Sequence, residues 1–92
     1  MNETVYIVTY ELRPPTQRYD ELQTLIKSEG KWARLGQSSY LVISNKTAVQ
    51  LRDKFKTVLD GNDNIFVGKV IAPAAWAGMP DKVTEWIIKA LQ

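Results

Sequence analysis

Glu11 is the residue of this chain best placed to do chemistry. It closes the run Val5-Tyr6-Ile7-Val8-Thr9-Tyr10-Glu11, and Arg13-Pro14-Pro15 follows almost at once. A β-branched and aromatic run reads as a strand, so the carboxylate is delivered to a strand-to-helix loop, where small α/β domains often keep their active groups. A carboxylate of this kind invites a hard divalent metal, but it needs company: Mg²⁺ or Mn²⁺ is held by one or two carboxylates plus waters and a substrate phosphate. The helpers on offer are Asp63 or the Glu11 of a second copy. Such a site would hydrolyse phosphodiesters. The plainer reading leaves Glu11 solvated at a strand end and gives Asp63 to a turn, and no cofactor is then needed.

A second constellation is basic. Arg13, Arg18, Lys27, Lys31 and Arg34 cluster around the first predicted helix and the strand after it, with Trp32 among them. Phosphate contacts plus an aromatic ring for stacking are what a single-strand binder uses. Scattered solubilising charge and a core tryptophan are the ordinary alternative. The 92 residues include no His and no Cys, which excludes disulfides, the usual zinc ligands, a Ser-His-Asp triad, a cysteine nucleophile and an imidazole base. Ser38, Ser39, Ser44 and Thr9 have no adjacent base to activate them. Asp60-Gly61-Asn62-Asp63 lacks the spacing of an EF-hand and reads as a turn. The glycines form neither a P-loop nor a dinucleotide fingerprint. A net charge of +2 permits contact with nucleic acid without arguing for it.

These residues must be held by a single domain spanning 1–92, since a chain this short buries only about 60 to 65% of its unfolded surface. Strand one is expected at about 4–11. After the Pro-Pro break, Thr16 is a plausible cap for a helix over about 17–29, whose Tyr19, Leu22, Leu25 and Ile26 share one side. Gly30 sits where a left-handed C-cap is wanted. Lys31–Leu35 and Ser38–Ser44 read as a hairpin turning at Gly36-Gln37. Asn45–Leu59 reads as a second helix, capped either by Asn45 or by Thr47 in a capping box with Gln50. A fourth strand is expected at Ile65–Ile71. Pro80 should then open a terminal helix carrying Val83, Trp86, Ile87, Ala90 and Leu91 on one face.

The order βαββαβ with right-handed crossovers gives an α+β, ferredoxin-like four-stranded antiparallel sheet, extended by a C-terminal helix. The strands are apolar on both sides. Tyr6, Val8 and Tyr10 alternate with Val5 and Ile7, and Tyr40 and Val42 alternate with Leu41 and Ile43. Burying one aliphatic side chain contributes about 1.5 to 3 kcal/mol, so both faces should be covered. The terminal helix can cover part of the second face, and a twin sheet in a homodimer is the simplest cover for the rest. Trp76 and Trp86 read as packing anchors of the core or the dimer, with Tyr6, Val8, Tyr10, Tyr40 and Val42. No apolar run approaches the ~20 residues of a membrane span, and Met1-Asn2-Glu3-Thr4 lacks the features of a signal peptide, so a cytoplasmic setting is expected.

The βαββαβ order, the Tyr10-Glu11 pair ending strand one, the Lys27–Trp32 stretch and the Asp63 before strand four resemble the CRISPR-associated protein 2 superfamily, which includes the virulence-associated protein D ribonucleases. Tyr10-Glu11-Leu12, Ile26-Lys27-Ser28, Arg52-Asp53, Leu59-Asp60, Asn62-Asp63 and Ala74-Ala75-Trp76 are similar, more narrowly, to small bacterial and phage proteins labelled SinR-like. The resemblance implies a ferredoxin-like homodimer in which the acid ending strand one, an Asp in the superfamily, lies by the dimer axis and shares a divalent metal with its twin. Glu11 occupies that position here. Its extra methylene moves the carboxylate about 1.5 Å outward, where metal distances must hold to about 0.2 Å. The expectation is therefore a homodimeric binding or interaction module related to nucleic acid, RNA or DNA, in a defence or mobile-element context, with catalysis lost. The alternatives are a Mg- or Mn-dependent endoribonuclease using Glu11 and Asp63, and a phage or mobile-element inhibitor that engages a host defence protein.

Overall fold

A computed structural model describes residues 3–15 and 17–92. Its elements run β1 (Thr4–Glu11), α1 (Tyr19–Lys27), β2 (Lys31–Gly36), β3 (Ser39–Ser44), α2 (Ala48–Lys56), β4 (Asn64–Lys69) and α3 (Asp81–Ala90). The strands form one antiparallel sheet in the order β2-β3-β1-β4. This is the α+β ferredoxin-like fold with a C-terminal helix, reached because each apolar run has the period of its element. Among the described residues no helix is long and apolar enough to cross a membrane.

Element boundaries shift for identifiable reasons. Thr16, the expected cap of α1, lies outside the described residues. The helix begins two residues later than expected because Gln17 holds a left-handed φ of 43°, which no helical residue adopts. Beyond Lys27 the backbone tightens into bonds from Glu29 N–H to the Ile26 carbonyl and from Gly30 N–H to that of Lys27, and Gly30 reverses the chain at φ 95°. The hairpin turns at Gln37-Ser38, one residue later than expected. Arg34 pairs with Tyr40 but Gly36 pairs with Ser39, so Leu35 is the extra residue of a bulge. Thr47 caps α2: its hydroxyl accepts from Gln50 N–H at 3.1 Å while its own N–H donates to the Gln50 side chain at 2.8 Å. Pro80 stands at the cap of α3 rather than at its first helical position.

Strand alternation sorts the core into two layers. Tyr6, Val8 and Tyr10 of β1, with Tyr40 and Val42 of β3, lie beneath Leu22 and Ile26 of α1 and Leu51 and Phe55 of α2. Tyr6, Val8, Tyr10, Tyr40 and Val42, expected to serve either core or dimer packing, are thus inside the chain's own helical layer. On the opposite face Val5 and Leu41 pack with Ile87 of α3, and Ile7, Leu35, Ile43, Val83, Trp76 and Trp86 close around them. Trp76 also donates its indole N–H to the Thr84 hydroxyl at 3.1 Å, tying the connector to α3. The cover stops short of the other end of the sheet, where Thr9 and Glu11 are exposed and Phe66 is 62% exposed.

One polar cluster braces the helical layer at its edge. The Glu29 side chain is only 2% exposed and pairs with Lys46 and Lys54. It also accepts from the Ser44 hydroxyl at 3.1 Å. Burial pushes its carboxyl up, but the hydrogen bonds from Lys54, Lys46 and Ser44, with the charge of Lys54, outweigh burial and hold it below its ordinary value. The carboxylate therefore joins the α1–β2 corner, the end of β3 and α2.

Candidate nucleic-acid interface

The acidic candidates meet at the β4 side of the sheet, but they are occupied. Asp63 accepts from Arg13 N–H at 2.8 Å through one oxygen and from Asp60 N–H at 3.1 Å through the other. Its carboxylate clamps the loop after β1 to the turn before β4. The Arg13 guanidinium donates to the Asn62 carbonyl and to Glu11 Oε1, both at 2.9 Å. Glu11 is thus ion-paired at the solvent-exposed end of β1, on the sheet face that α3 leaves open. No group of three or more Asp or Glu side chains converges among the described residues. The donor set within one chain does not fit a divalent ion: one carboxylate is neutralised by Arg13 and the other has its oxygens on backbone N–H groups.

The basic candidates divide into two kinds. Arg13, Arg18 and Lys31 have acidic partners, Lys31 with Glu3 at 3.0 Å and Arg18 more loosely with Glu21 at 3.9 Å. Exposed pairs of this sort are worth about 0 to 1 kcal/mol and hold their cations only weakly. Lys27 and Arg34 make no ion pair among the described residues, and each lies over an aromatic ring instead. Lys27 Nζ is 4.9 Å from the ring centre of Trp32, and the Arg34 guanidinium carbon is 5.6 Å from that of Tyr40. The two rings are neighbours, 5.9 Å apart and inclined at 59°.

The sheet explains this row. Trp32 and Arg34 are two apart on β2, so both point to the helical side, while the antiparallel register sets Trp32 opposite Val42 and Arg34 opposite Tyr40. The C-terminal turn of α1 brings Lys27 over the indole. Because β2 is an edge strand, the row Lys27–Trp32–Tyr40–Arg34 runs along a sheet margin with Trp32 only partly buried. The structure therefore brings together three of the six basic and aromatic candidates, Lys27, Trp32 and Arg34. It places Arg13 at the far side of the sheet with Glu11 and Asp63.

Sequence reasoning did not single out Tyr40 or Tyr10 as polar groups, nor Glu29 as a brace. Tyr10 is 4% exposed, and burial pushes its phenol up despite a hydrogen bond from Gln23 that acts the other way. The available signal was the alternation itself, which places the tyrosines of β1 and β3 on the same face as Trp32. Fold and site together define a ferredoxin-like α+β domain with a cationic and aromatic margin along β2. No model of a known protein family matches the chain, and no curated protein matches it either.

Proposed function

We propose that this chain is a nucleic-acid-binding module that takes a single strand along the β2 margin and works as a homodimer, in keeping with its resemblance to the CRISPR-associated protein 2 superfamily. The observation that carries the reading is the pair of cations without acidic partners among the described residues, Lys27 and Arg34, lying on the adjoining rings of Trp32 and Tyr40. An exposed cation–π contact is worth about 0.5 to 1 kcal/mol, whereas stacking a base on an aromatic side chain contributes about 1 to 3 kcal/mol. A base can therefore displace the Lys27 ammonium from the indole and leave it free to meet the adjacent phosphate. The dimer is supported by the open end of the second sheet face, where Phe66 lies exposed beside Thr9, its partner in the strand register. The resemblance favours a cytoplasmic role in defence or in a mobile element.

The test is the anisotropy of labelled single-stranded RNA and DNA across a salt series. Wild-type affinity should fall steeply with salt, Lys27→Ala and Arg34→Ala should each flatten the log–log slope by about 0.7, and Trp32→Ala should cost about 1 to 3 kcal/mol. Arg13→Ala and Lys31→Ala, whose side chains lie away from this row, Arg13 beside Asn62 and Lys31 on the other face of β2, should do much less. Binding that is absent or independent of salt would overturn the reading in favour of a protein partner, as an inhibitor of a defence complex would have. Cleavage of RNA that requires Mg²⁺ or Mn²⁺ and disappears in Glu11→Gln would overturn it in favour of the endoribonuclease.

A further inference from the structure

The sheet has two outer strands, and their edges are built differently. β2 closes it on one side and β4 on the other. Along β2, Lys31 and Arg34 are exposed, Leu35 bulges, and Arg34 folds back to donate to the Gly36 and Gln37 carbonyls at 3.0 and 3.2 Å. Charge, a bulge and occupied carbonyls are devices by which native edges refuse a further strand. β4 lacks them. Its register with β1 runs unbroken from Asn64 to Lys69, it contains no proline, and its single charge comes last. Ile65, Phe66 and Val67 follow one another near its centre, yet no residue of this strand is buried.

Pairing with β1 fixes which backbone groups of β4 face outward. One step beyond the Tyr6–Lys69 pair, Val70 N–H donates to the Val5 carbonyl at 2.8 Å, so that position is a hydrogen-bonded pair. Alternation then gives Gly68, Phe66 and Asn64 to β1 and turns the N–H and C=O of Ile65, Val67 and Lys69 to the open edge. Among the described residues, no backbone hydrogen bond reaches these outward groups. An unpaired row of this kind is a template for another extended strand.

The strand that fits this edge is a second copy of β4. Two copies related by a two-fold axis normal to the sheet pair antiparallel, and each residue then meets one that points to the same face. Centring the axis on Phe66 sets Ile65 against Val67 of the second copy, so both residues exchange their outward N–H and C=O groups. The two Phe66 rings meet on the open face at a non-hydrogen-bonded pair, where side chains lie closest. Lys69 falls opposite Asp63 of the second copy, whose carboxylate keeps lone pairs beyond its bonds to the Arg13 and Asp60 N–H groups. Symmetry makes that match of opposite charge twice. Centring the axis on Val67 would instead set Lys69 against Ile65. On the helical side of this edge Arg52 and Lys56 are balanced by Asp60 and Asp63, so two copies meet there without excess charge. We propose that β4 is the dimer edge of this chain, pairing about Phe66 with β4 of a second copy to give one continuous eight-stranded sheet. The inference rests on the homodimer part of the proposed function and specifies its surface. It leaves both β2 margins free at the outer ends of the sheet, ~34 Å apart at ~4.8 Å per strand.

The test is hydrogen exchange of the whole chain followed by NMR, read beside its mass in solution by sedimentation. In the dimer the outward amides of Ile65 and Val67 should be protected. Val67→Pro removes a donor that β1 does not use, so the monomer should keep its fold by circular dichroism. Its dimer dissociation constant should rise about thirtyfold or more, one hydrogen bond being lost in each copy, and the Ile65 amide should then exchange freely. Phe66→Cys should give a disulfide-linked dimer with oxidised glutathione. Thr9→Cys, beside Phe66 on the same face but three strand spacings or ~14 Å from its twin, should not. Should Val67→Pro fail to fold, wild-type exchange and the cross-linking decide. A dimer whose Ile65 and Val67 amides exchange freely, or that cross-links through Thr9→Cys and not Phe66→Cys, would overturn the edge and leave the homodimer standing. A chain that sediments as a monomer at hundreds of micromolar would overturn both.

Discussion

Replacing Glu29 by glutamine keeps the shape of the side chain and removes its charge, which isolates what the carboxylate does. In the folded chain it accepts from Ser44 and Lys46, each at 3.1 Å, and from Lys54, with 2% of its side chain exposed. Lys54 is 29% exposed, so its bond belongs with buried charge-assisted ones, worth about 1.5 to 3 kcal/mol each. Lys46 is 44% exposed, and solvent screening reduces its share to about 0.2 to 1 kcal/mol. Glutamine retains one acceptor but turns its amide donors toward an ammonium, so the net loss should be about 2 to 4 kcal/mol. For a domain of this size that corresponds to a fall in melting temperature of roughly 10 to 30 °C at pH 7. The pH dependence has a definite sign. The folded carboxyl titrates below its ordinary value of 4.5, so the stability it contributes is fully present above about pH 4.5 and is lost as pH falls through the folded value. Thermal and urea unfolding of both proteins, at one protein concentration and from pH 7 to 3, checks this. Wild type should lose its advantage over Glu29→Gln in acid. A difference below about 3 °C at pH 7, or one that persists unchanged to pH 3, would refute the brace.

Three further perturbations follow from particular contacts. Thr47→Ala removes the acceptor of the capping box and should cost about 1 kcal/mol, read as a lower urea midpoint with an unchanged slope. A Cβ at Gly68 would lie 2.7 Å from the Phe66 ring, which is exposed and free to swing away, so Gly68→Ala should fold normally and move Phe66 off the sheet. If this open end is the dimer surface, Gly68→Ala and Phe66→Glu should both weaken self-association in sedimentation experiments. A dimer indifferent to both substitutions must use another face.

The element order was legible because its signals repeat: Val5 to Tyr10 alternate without a break, and Leu51 and Phe55 recur at helical spacing. Thr47 with Gln50 was legible for the same reason, since a capping box is local in sequence. Boundaries moved where backbone geometry decides and side-chain pattern does not, as at Gln17 and at the Leu35 bulge. The site was harder to read because its partners are remote or ambiguous. Asp63 clamps an N–H 50 residues away, and no local pattern distinguishes that carboxylate from a metal ligand. Glu29 stands beside the Gly30 turn with no local pattern to mark it, and only the approach of α2 to the end of β3 buries it.

Net charge was the least informative number in the sequence, because pairing geometry redistributes what the total conceals. Arg13 and Lys31 are matched by Glu11 and Glu3 in exposed ion pairs. Lys56 and Lys69 have neither an ion pair nor an aromatic ring beneath them among the described residues, and a cation in open solvent is ordinary. Lys27 and Arg34 differ because Trp32 and Tyr40 lie beneath them. Trp32, the partly buried ring of the two, is the one that keeps a face near solvent, so charge and aromatic surface coincide at its end of the row. The acid that ends β1, by contrast, is held by Arg13 away from that margin. The cationic and aromatic row along β2 and the Glu11 carboxylate held by Arg13 therefore lie on opposite sides of the sheet.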